Sequence, residues 1–364
     1  MKKMYLRDLL LVMALLFSII QLNAQDLRSQ KYLENLLEEK VRWPEGMKPG
    51  PRTEVNTEKN ASDEFKLSNS SSRSASEGEA HIAVNPTDSL NIVLSYMLLT
   101  PQTGLTFPIF VSKDGGDTWS QRTLNTSLIF NLDINLLIAG GGDPMFAFDA
   151  NGKLYFSSLL AGIDTSIIST DLVMRMYWAW SDDGGDTWNY LPGKGKFVSE
   201  GALSFFTGEA VPPYGDGVPD RQWMACDLSG GPYANSLYLA SLFVSHNSSQ
   251  TKANGMVVRY KRPSDSTFQP VFVQVGDTGS FVSQYANIAV DGEGNVHVTY
   301  SSINPLGVYD GVWHAISRDG GQTFSPSVRI SAHADNGGVT ILHDRENNAP
   351  SLAVGKIPGS VLVS

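Results

Sequence analysis

Several ionisable and polar residues stand just ahead of a short apolar strand that recurs along the chain. They are Glu77 and Glu79 before HIAVNP, Asp143 before MFAFDA, Asp220 and Arg221 before WMACDL, and Gln284 and Tyr285 before NIAVDG. Three of the four repeats thus carry a carboxylate at a nearly equivalent position. Two carboxylates facing one bond serve as acid and base in glycosidic cleavage, and grouped carboxylates also ligate cations. The alternative is structural: such carboxylates bond neighbouring backbone amides and neutralise Arg or Lys. Arg175, Tyr214, Tyr309 and Trp313 add a guanidinium for anions and rings for stacking. Glu79, Asp143, Asp220 and Arg221 are the candidate catalytic set. Tyr285, Arg175, Tyr214 and Tyr309 are the candidate substrate-binding set.

Positioning these residues is the task of a repeat. The apolar strands align on Ala83, Ala147, Ala225, Ala289 and Ala353, with spacings of 64, 78, 64 and 64. A period near 64 with one insertion marks a repeat architecture. A second strand follows in each unit (NIVLSYML, KLYFSSLL, SLYLASLF, NVHVTYSS), then a third (FPIFVS, VMRMYWAWS, GMVVRYK, VWHAIS). After the third strand, units one, two and four carry SKDGGDTW (Ser112–Trp119), SDDGGDTW (Ser181–Trp188) and SRDGGQTF (Ser317–Phe324). The shared pattern is Ser-x-Asp-x-Gly-x-Thr-aromatic. An Asp carboxylate that accepts backbone N–H bonds folds such a loop on itself, and Gly supplies the positive φ of the reversal. Unit three keeps only Thr267 and Phe268, so its turn must close differently.

This turn resembles the Asp-box, or bacterial neuraminidase repeat, of the sialidase-like β-propeller superfamily. The residues that carry the resemblance are Ser112, Asp114, Gly116, Thr118 and Trp119, then Ser181, Asp183, Gly185, Thr187 and Trp188, then Ser317, Asp319, Gly321, Thr323 and Phe324. It implies an all-β chain built as a β-propeller of four-stranded antiparallel blades. Four blades are complete, at about 77–130, 140–195, 220–275 and 284–332, and a partial fifth begins near Ala349. The family is six-bladed, so the resemblance implies a truncated six-bladed propeller, unless residues 25–76 or a second copy close the gap.

The resemblance places the boxes on one face and the active site on the other. The long segments Ala161–Leu172, Leu191–Pro219, Val244–Asn254 and Ile303–Gly311 belong to that other face. It also implies three arginines gripping a sugar carboxylate, a Tyr nucleophile activated by a Glu, and an Asp acid/base. The chain departs from this pattern, because the Arg-Ile-Pro signature is absent and no arginine triad can be assigned. Two readings therefore stand. One is a glycoside hydrolase of exo-sialidase type acting on extracellular glycans. The other is a non-catalytic propeller that binds carbohydrate or protein.

The termini and composition bound the rest. Residues 1–24 read as a secretory signal: Lys2, Lys3 and Arg7 precede an apolar run from Leu9 to Ile20 that is short for a bilayer span. The expected address is secreted, periplasmic or cell-surface, with no stable membrane anchor after cleavage. Residues 25–76 read as a helix over 26–42 followed by a Ser/Pro/Gly-rich linker, and 77–364 as the propeller. The net charge of −10 opposes nucleic-acid binding, and a glycan or glycoprotein partner is what the resemblance implies. No zinc motif, phosphate loop or Gly-x-Ser-x-Gly elbow occurs. No cofactor is expected. A calcium ion among Glu79, Asp143 and Asp220 is conceivable but lacks a loop motif. The single cysteine, Cys226, reads as a buried small hydrophobe.

Overall fold

A computed structural model describes residues 76–100, 104–123, 135–166, 171–204, 217–245, 253–269, 273–275, 282–303, 309–331, 352–354 and 361–363. All of them belong to the compact unit Phe65–Ser364. The expected signal segment, the expected helix and most of the expected linker lie outside the described residues, as does Tyr214.

The described chain is all-β, with one four-residue 3-10 turn (Gly193–Lys196) and no α-helix. Among the described residues no helix is long and apolar enough to cross a membrane. The first antiparallel sheet contains β1 (Ser76–Asn85), β2 (Asp88–Thr100), β4 (Pro108–Ser112) and β5 (Ser120–Thr123), with a short arm β3 (Gly104–Thr106) paired to β2. The second runs β6 (Leu136–Phe148), β7 (Leu154–Asp164), β8 (Leu172–Ser181), β9 (Phe197–Leu203). The third runs β10 (Gly217–Cys226), β11 (Leu237–Ser245), β12 (Ala253–Lys261), β13 (Val273–Val275). The fourth runs β14 (Val282–Val290), β15 (Val296–Ile303), β16 (Tyr309–Ser317), β17 (Val328–Ser331). A two-stranded sheet joins β18 (Leu352–Val354) to β19 (Val361–Val363). All-β structure in several antiparallel sheets is thus what the sequence led us to expect.

The first strand of each sheet neighbours the first strand of the next, from β1 through β6, β10 and β14 to β18. Three cores fill the spaces between successive sheets. Val93, Ile109, Phe146 and Phe156 lie between the first and second. Met176, Trp178, Leu237 and Leu239 lie between the second and third. Tyr238, Val258, Ile288 and Val298 lie between the third and fourth. Middle strands such as LYFSSLLAGID are therefore apolar on both faces and show no clean alternation. Ile82, Val84 and Leu90 of the first sheet remain about half exposed, so no described element covers that outer face.

At one end the three repeated turns share one bonding scheme. Ser112, Ser181 and Ser317 each donate their hydroxyl to Asp114, Asp183 and Asp319 at 2.7–2.8 Å. The same three oxygens accept the amides of Gly116, Gly185 and Gly321 at 2.8 Å. Each Asp then accepts the amide and the hydroxyl of Thr118, Thr187 or Thr323. Gly185 has φ 103°, and a Cβ there would press on Val111 and Val93 of the neighbouring sheet. Trp188 packs under its turn on Phe146 and Phe156.

The third sheet closes by another route. Asp265 accepts the Arg262 amide at 3.0 Å and the Gln269 side-chain amide at 2.9 Å. The Arg262 guanidinium lies 4.2 Å from the Tyr260 ring centre and 4.6 Å from that of Tyr233, and it donates to the carbonyl of Gly320 in the next sheet.

Candidate functional site

The residues expected ahead of the inner strands lie inside them, at bulges. In each of the four first strands two residues oppose a single partner residue, and the register shifts between Gly78 and His81, Gly142 and Met145, Asp220 and Trp223, and Gln284 and Asn287. A bulge re-aims the side chain it carries and breaks the alternation by which a strand is recognised in sequence. The apolar runs therefore marked only the second half of each strand.

Three of the four bulges hold a residue in an uncommon backbone. Glu79, Asp143 and Arg221 have φ of 56°, 54° and 51°. Non-glycine residues in this region cost free energy, and they cluster where a side chain must be aimed. Among the described residues only one other non-glycine residue, Asn235, has positive φ.

Side chains link the bulges of neighbouring strands. Glu79 Oε2 accepts the Asp143 amide at 2.7 Å. Gln222 Nε2 donates to the Asp143 carbonyl at 2.5 Å. The Arg221 amide donates to Asp220 Oδ1 at 3.0 Å, and Arg221 Nε lies 3.7 Å from Asp220 Oδ2. His81, two residues beyond Glu79, accepts the Phe146 amide at Nδ1 (3.1 Å) and meets Trp223 edge-on at 5.6 Å. The first strands of the first and third sheets therefore touch directly.

Electrostatics set this cluster apart. Burial, with repulsion from Glu79 and Asp220, pushes Asp143 up to about 8 despite the Arg221 guanidinium. Burial likewise raises Asp220, outweighing Arg221. Burial lowers His81 to about 4, so its ring is neutral near pH 7. A carboxyl that keeps its proton at neutral pH, beside other carboxylates and a guanidinium, is equipped to donate that proton. The side chains of Asp220 and Arg221 are about one-third exposed, at 34% and 36%. Solvent therefore reaches the cluster.

The other candidates are distributed differently. Arg175 sits on β8, two strands out from the bulge, with its guanidinium 2.5 Å from Asp164 and 3.4 Å from Glu200. It is 6% exposed and lies over Phe197, so it holds the outer half of the second sheet together. The backbones of Tyr285 and Tyr309 belong to β14 and β16, and their side chains lie outside the described residues. Trp313 packs on the core between the third and fourth sheets. Among the described residues no group of three His, Cys, Asp or Glu side chains is arranged to hold a metal ion. Cys226 is buried, and burial raises its thiol far above the usual range.

Sequence reasoning missed three parts of the site. His81 and Gln222 lie among apolar strand residues and carry no motif. Gly142 could have been found, since it directly precedes Asp143. A Cβ there would collide with the Glu79 carboxylate, so this glycine makes the seat that lets Glu79 reach the Asp143 amide.

No protein-family profile matches the chain, and no curated protein does. Among solved structures the chain is similar to a protein of unknown function from Dyadobacter fermentans, at 16% identity and a TM-score of 0.47, over 71% of this chain and 70% of that one. It is also similar to the Hadza microbial sialidase Hz136, at 14% identity and a TM-score of 0.45, over 71% and 47% of the two chains. A leech intramolecular trans-sialidase matches at 12% identity and a TM-score of 0.44, over 70% and 51%. The chain spans about half the length of these two sialidases.

Proposed function

We propose that the chain is a secreted, sialidase-like Asp-box β-propeller that acts on extracellular glycans as a glycoside hydrolase of exo-sialidase type. The observation that carries the reading is the bulge cluster. Three neighbouring first strands each hold a charged residue in left-handed backbone, and one of these, Asp143, keeps its proton to about pH 8. The propeller reading rests on the succession of neighbouring first strands and on the His81–Trp223 contact across them. The Asp-box reading rests on the identical bonding of the turns at Ser112, Ser181 and Ser317. Secretion rests on residues 1–24 alone.

In this mechanism Asp143 protonates the glycosidic oxygen as its bond to the anomeric carbon breaks, and a water then adds to that carbon and returns its proton to the Asp143 carboxylate. Arg221 meets the carboxylate of an acidic sugar, for which a planar fork of N–H donors is suited. Glu79 orients Asp143 through the backbone amide. The Asp220 carboxyl, beside Arg221, faces the positive charge that develops on the sugar ring. No cofactor or metal enters the mechanism.

The test is hydrolysis of a fluorogenic sialoside by the full chain and by Asp143→Asn, Asp220→Ala and Arg221→Ala. Turnover that falls about 100-fold or more in Asp143→Asn supports the reading. No turnover by the intact chain removes it for that substrate. The second reading is a non-catalytic propeller that binds glycan or protein, and Arg175 favours it. With that guanidinium held by Asp164 and Glu200, Arg221 is the arginine left at the described cluster. Binding of sialyllactose without turnover, lost in Arg221→Ala, would select this alternative.

A further inference from the structure

The seams between successive sheets at the turn end are not alike. Between the first and second sheets, Lys113 Nζ donates to the carbonyls of Asp183 (2.9 Å) and Gly184 (3.2 Å), and Arg122 pairs with Asp186 at 2.9 Å. Between the third and fourth, Arg262 reaches the Gly320 carbonyl. Between the second and third sheets lies a cavity of about 440 Å³. The divergent third turn forms one wall through Asp265, and the rings of Trp178 and Trp180, stacked at 5.4 Å, line another.

The polar groups of this cavity are biased toward donors. Asp149 accepts the amides of Asn151 and Lys153 at Oδ1 (2.9 Å each), and Asp265 accepts from Arg262 and Gln269 at Oδ2. The two ammonium groups are less occupied. Lys153 Nζ lies 3.0 Å from Asp182 and 5.1 Å from the Trp180 ring centre. Lys261 Nζ donates to the Arg262 carbonyl at 3.2 Å and lies 5.8 Å from the Trp178 ring centre. An ammonium has three protons to donate, so each lysine keeps two beyond these bonds. Burial lowers Lys261, and Lys153 adds to that shift although Asp265 opposes it. An anion between the two lysines would relieve that repulsion.

We propose that this cavity is a second ligand site that takes a sugar unit bearing one carboxylate, held between Lys153 and Lys261 with its C–H face against Trp180. The volume lies within the usual range for small-molecule sites, and an aromatic wall with a few convergent polar groups is their common lining. The net charge of −10, with Asp149, Asp182 and Asp265 nearby, repels a polyanion more strongly than a single carboxylate, whose charge the two lysines can offset. The site does not depend on the hydrolase reading. It belongs to the turn end of the sheets, and Asp143 belongs to a bulge.

The test measures binding of cellobiouronic acid and of cellobiose, which differ by the carboxylate, using tryptophan fluorescence and calorimetry. Wild type and Asp143→Asn should bind the acidic disaccharide equally, about tenfold or more tighter than cellobiose. Lys153→Met and Lys261→Met should each abolish that preference. The Lys153 side chain is 35% exposed, so its replacement tests the site even where Lys261→Met fails to fold. Equal affinity for the two sugars, undiminished binding by Lys153→Met, or no binding of the acidic sugar would overturn the proposal. Binding lost in Asp143→Asn would assign the ligand to the bulge cluster and equally overturn it.

Discussion

The turn end and the bulges of the same sheets both concentrate aspartates, and the two sets titrate in opposite directions. At the turns, the Thr118 hydroxyl and amide, with help from Ser112, hold Asp114 down at about 2. Burial pushes Asp183 and Asp319 up, but their Thr and Ser donors more than offset it, so both are lowered. At the bulges, burial and neighbouring carboxylates hold Asp143 up at about 8, and Asp220 is raised as well. The difference lies in donors. A turn aspartate accepts several N–H and O–H bonds that need its charge, whereas Asp143 is crowded by Glu79 and Asp220 with Arg221 as its main relief. Satisfied carboxylates build a fold, and frustrated ones are available for chemistry.

Asp143→Asn should break this contrast most sharply. Under the proposed function, sialoside turnover is expected to fall by roughly 100-fold or more while the fold survives. Stability should move the other way. The unfolded carboxyl ionises at about 3.9, the folded one only at about 8, so wild type loses stability as pH rises between these values. Denaturation at several pH values should therefore show Asp143→Asn gaining on wild type from pH 4 to 8 and holding a constant margin above. A margin that shrinks with rising pH would mean that Asp143 is not raised.

Gly142→Ala tests the positioning of Asp143 without replacing an ionisable residue. The added methyl displaces the Glu79 carboxylate, with an expected cost of about 1–3 kcal/mol in stability and a turnover loss matched by Glu79→Ala, which removes the acceptor of the Asp143 amide. Unequal losses in the two variants would separate the seat from the side chain.

Ser181→Ala probes the turn end. It removes the donor to Asp183 and the acceptor for the Gly185 amide in a fully buried position, so chemical denaturation should show a loss of about 1–2 kcal/mol with turnover unchanged. The smallest effect is expected for Arg262→Lys. It exchanges a stacked planar guanidinium for a point charge between the Tyr260 and Tyr233 rings, at a cost of about 0.5–1 kcal/mol.

Much of this comparison was legible before any coordinates. The Ser, Asp, Gly and Thr of the three turns sit at fixed offsets, and local bonding alone makes them close. Glu79, Asp143 and Arg221 could be picked out because each precedes an apolar run at the period of the repeat. Their bulges could not, since positive φ at a Glu, an Asp and an Arg runs against local preference and persists only because surrounding strands impose it. Arg175 shows the converse. Its charge suggested a ligand contact, but pairing with Asp164 and Glu200 depends on strand register that a residue list does not contain.

By itself the sequence determined the short-range structure: the turns, the strand order within each unit and the spacing of the units. These follow from hydrogen bonds and φ preferences within a few residues. Only the tertiary structure decided which aspartates would be quiet and which strained, and where a seam would open between Trp180 and Lys261. Burial and Coulomb repulsion depend on distances between strands that are 64 or more residues apart in the chain, as Glu79 and Asp143 are.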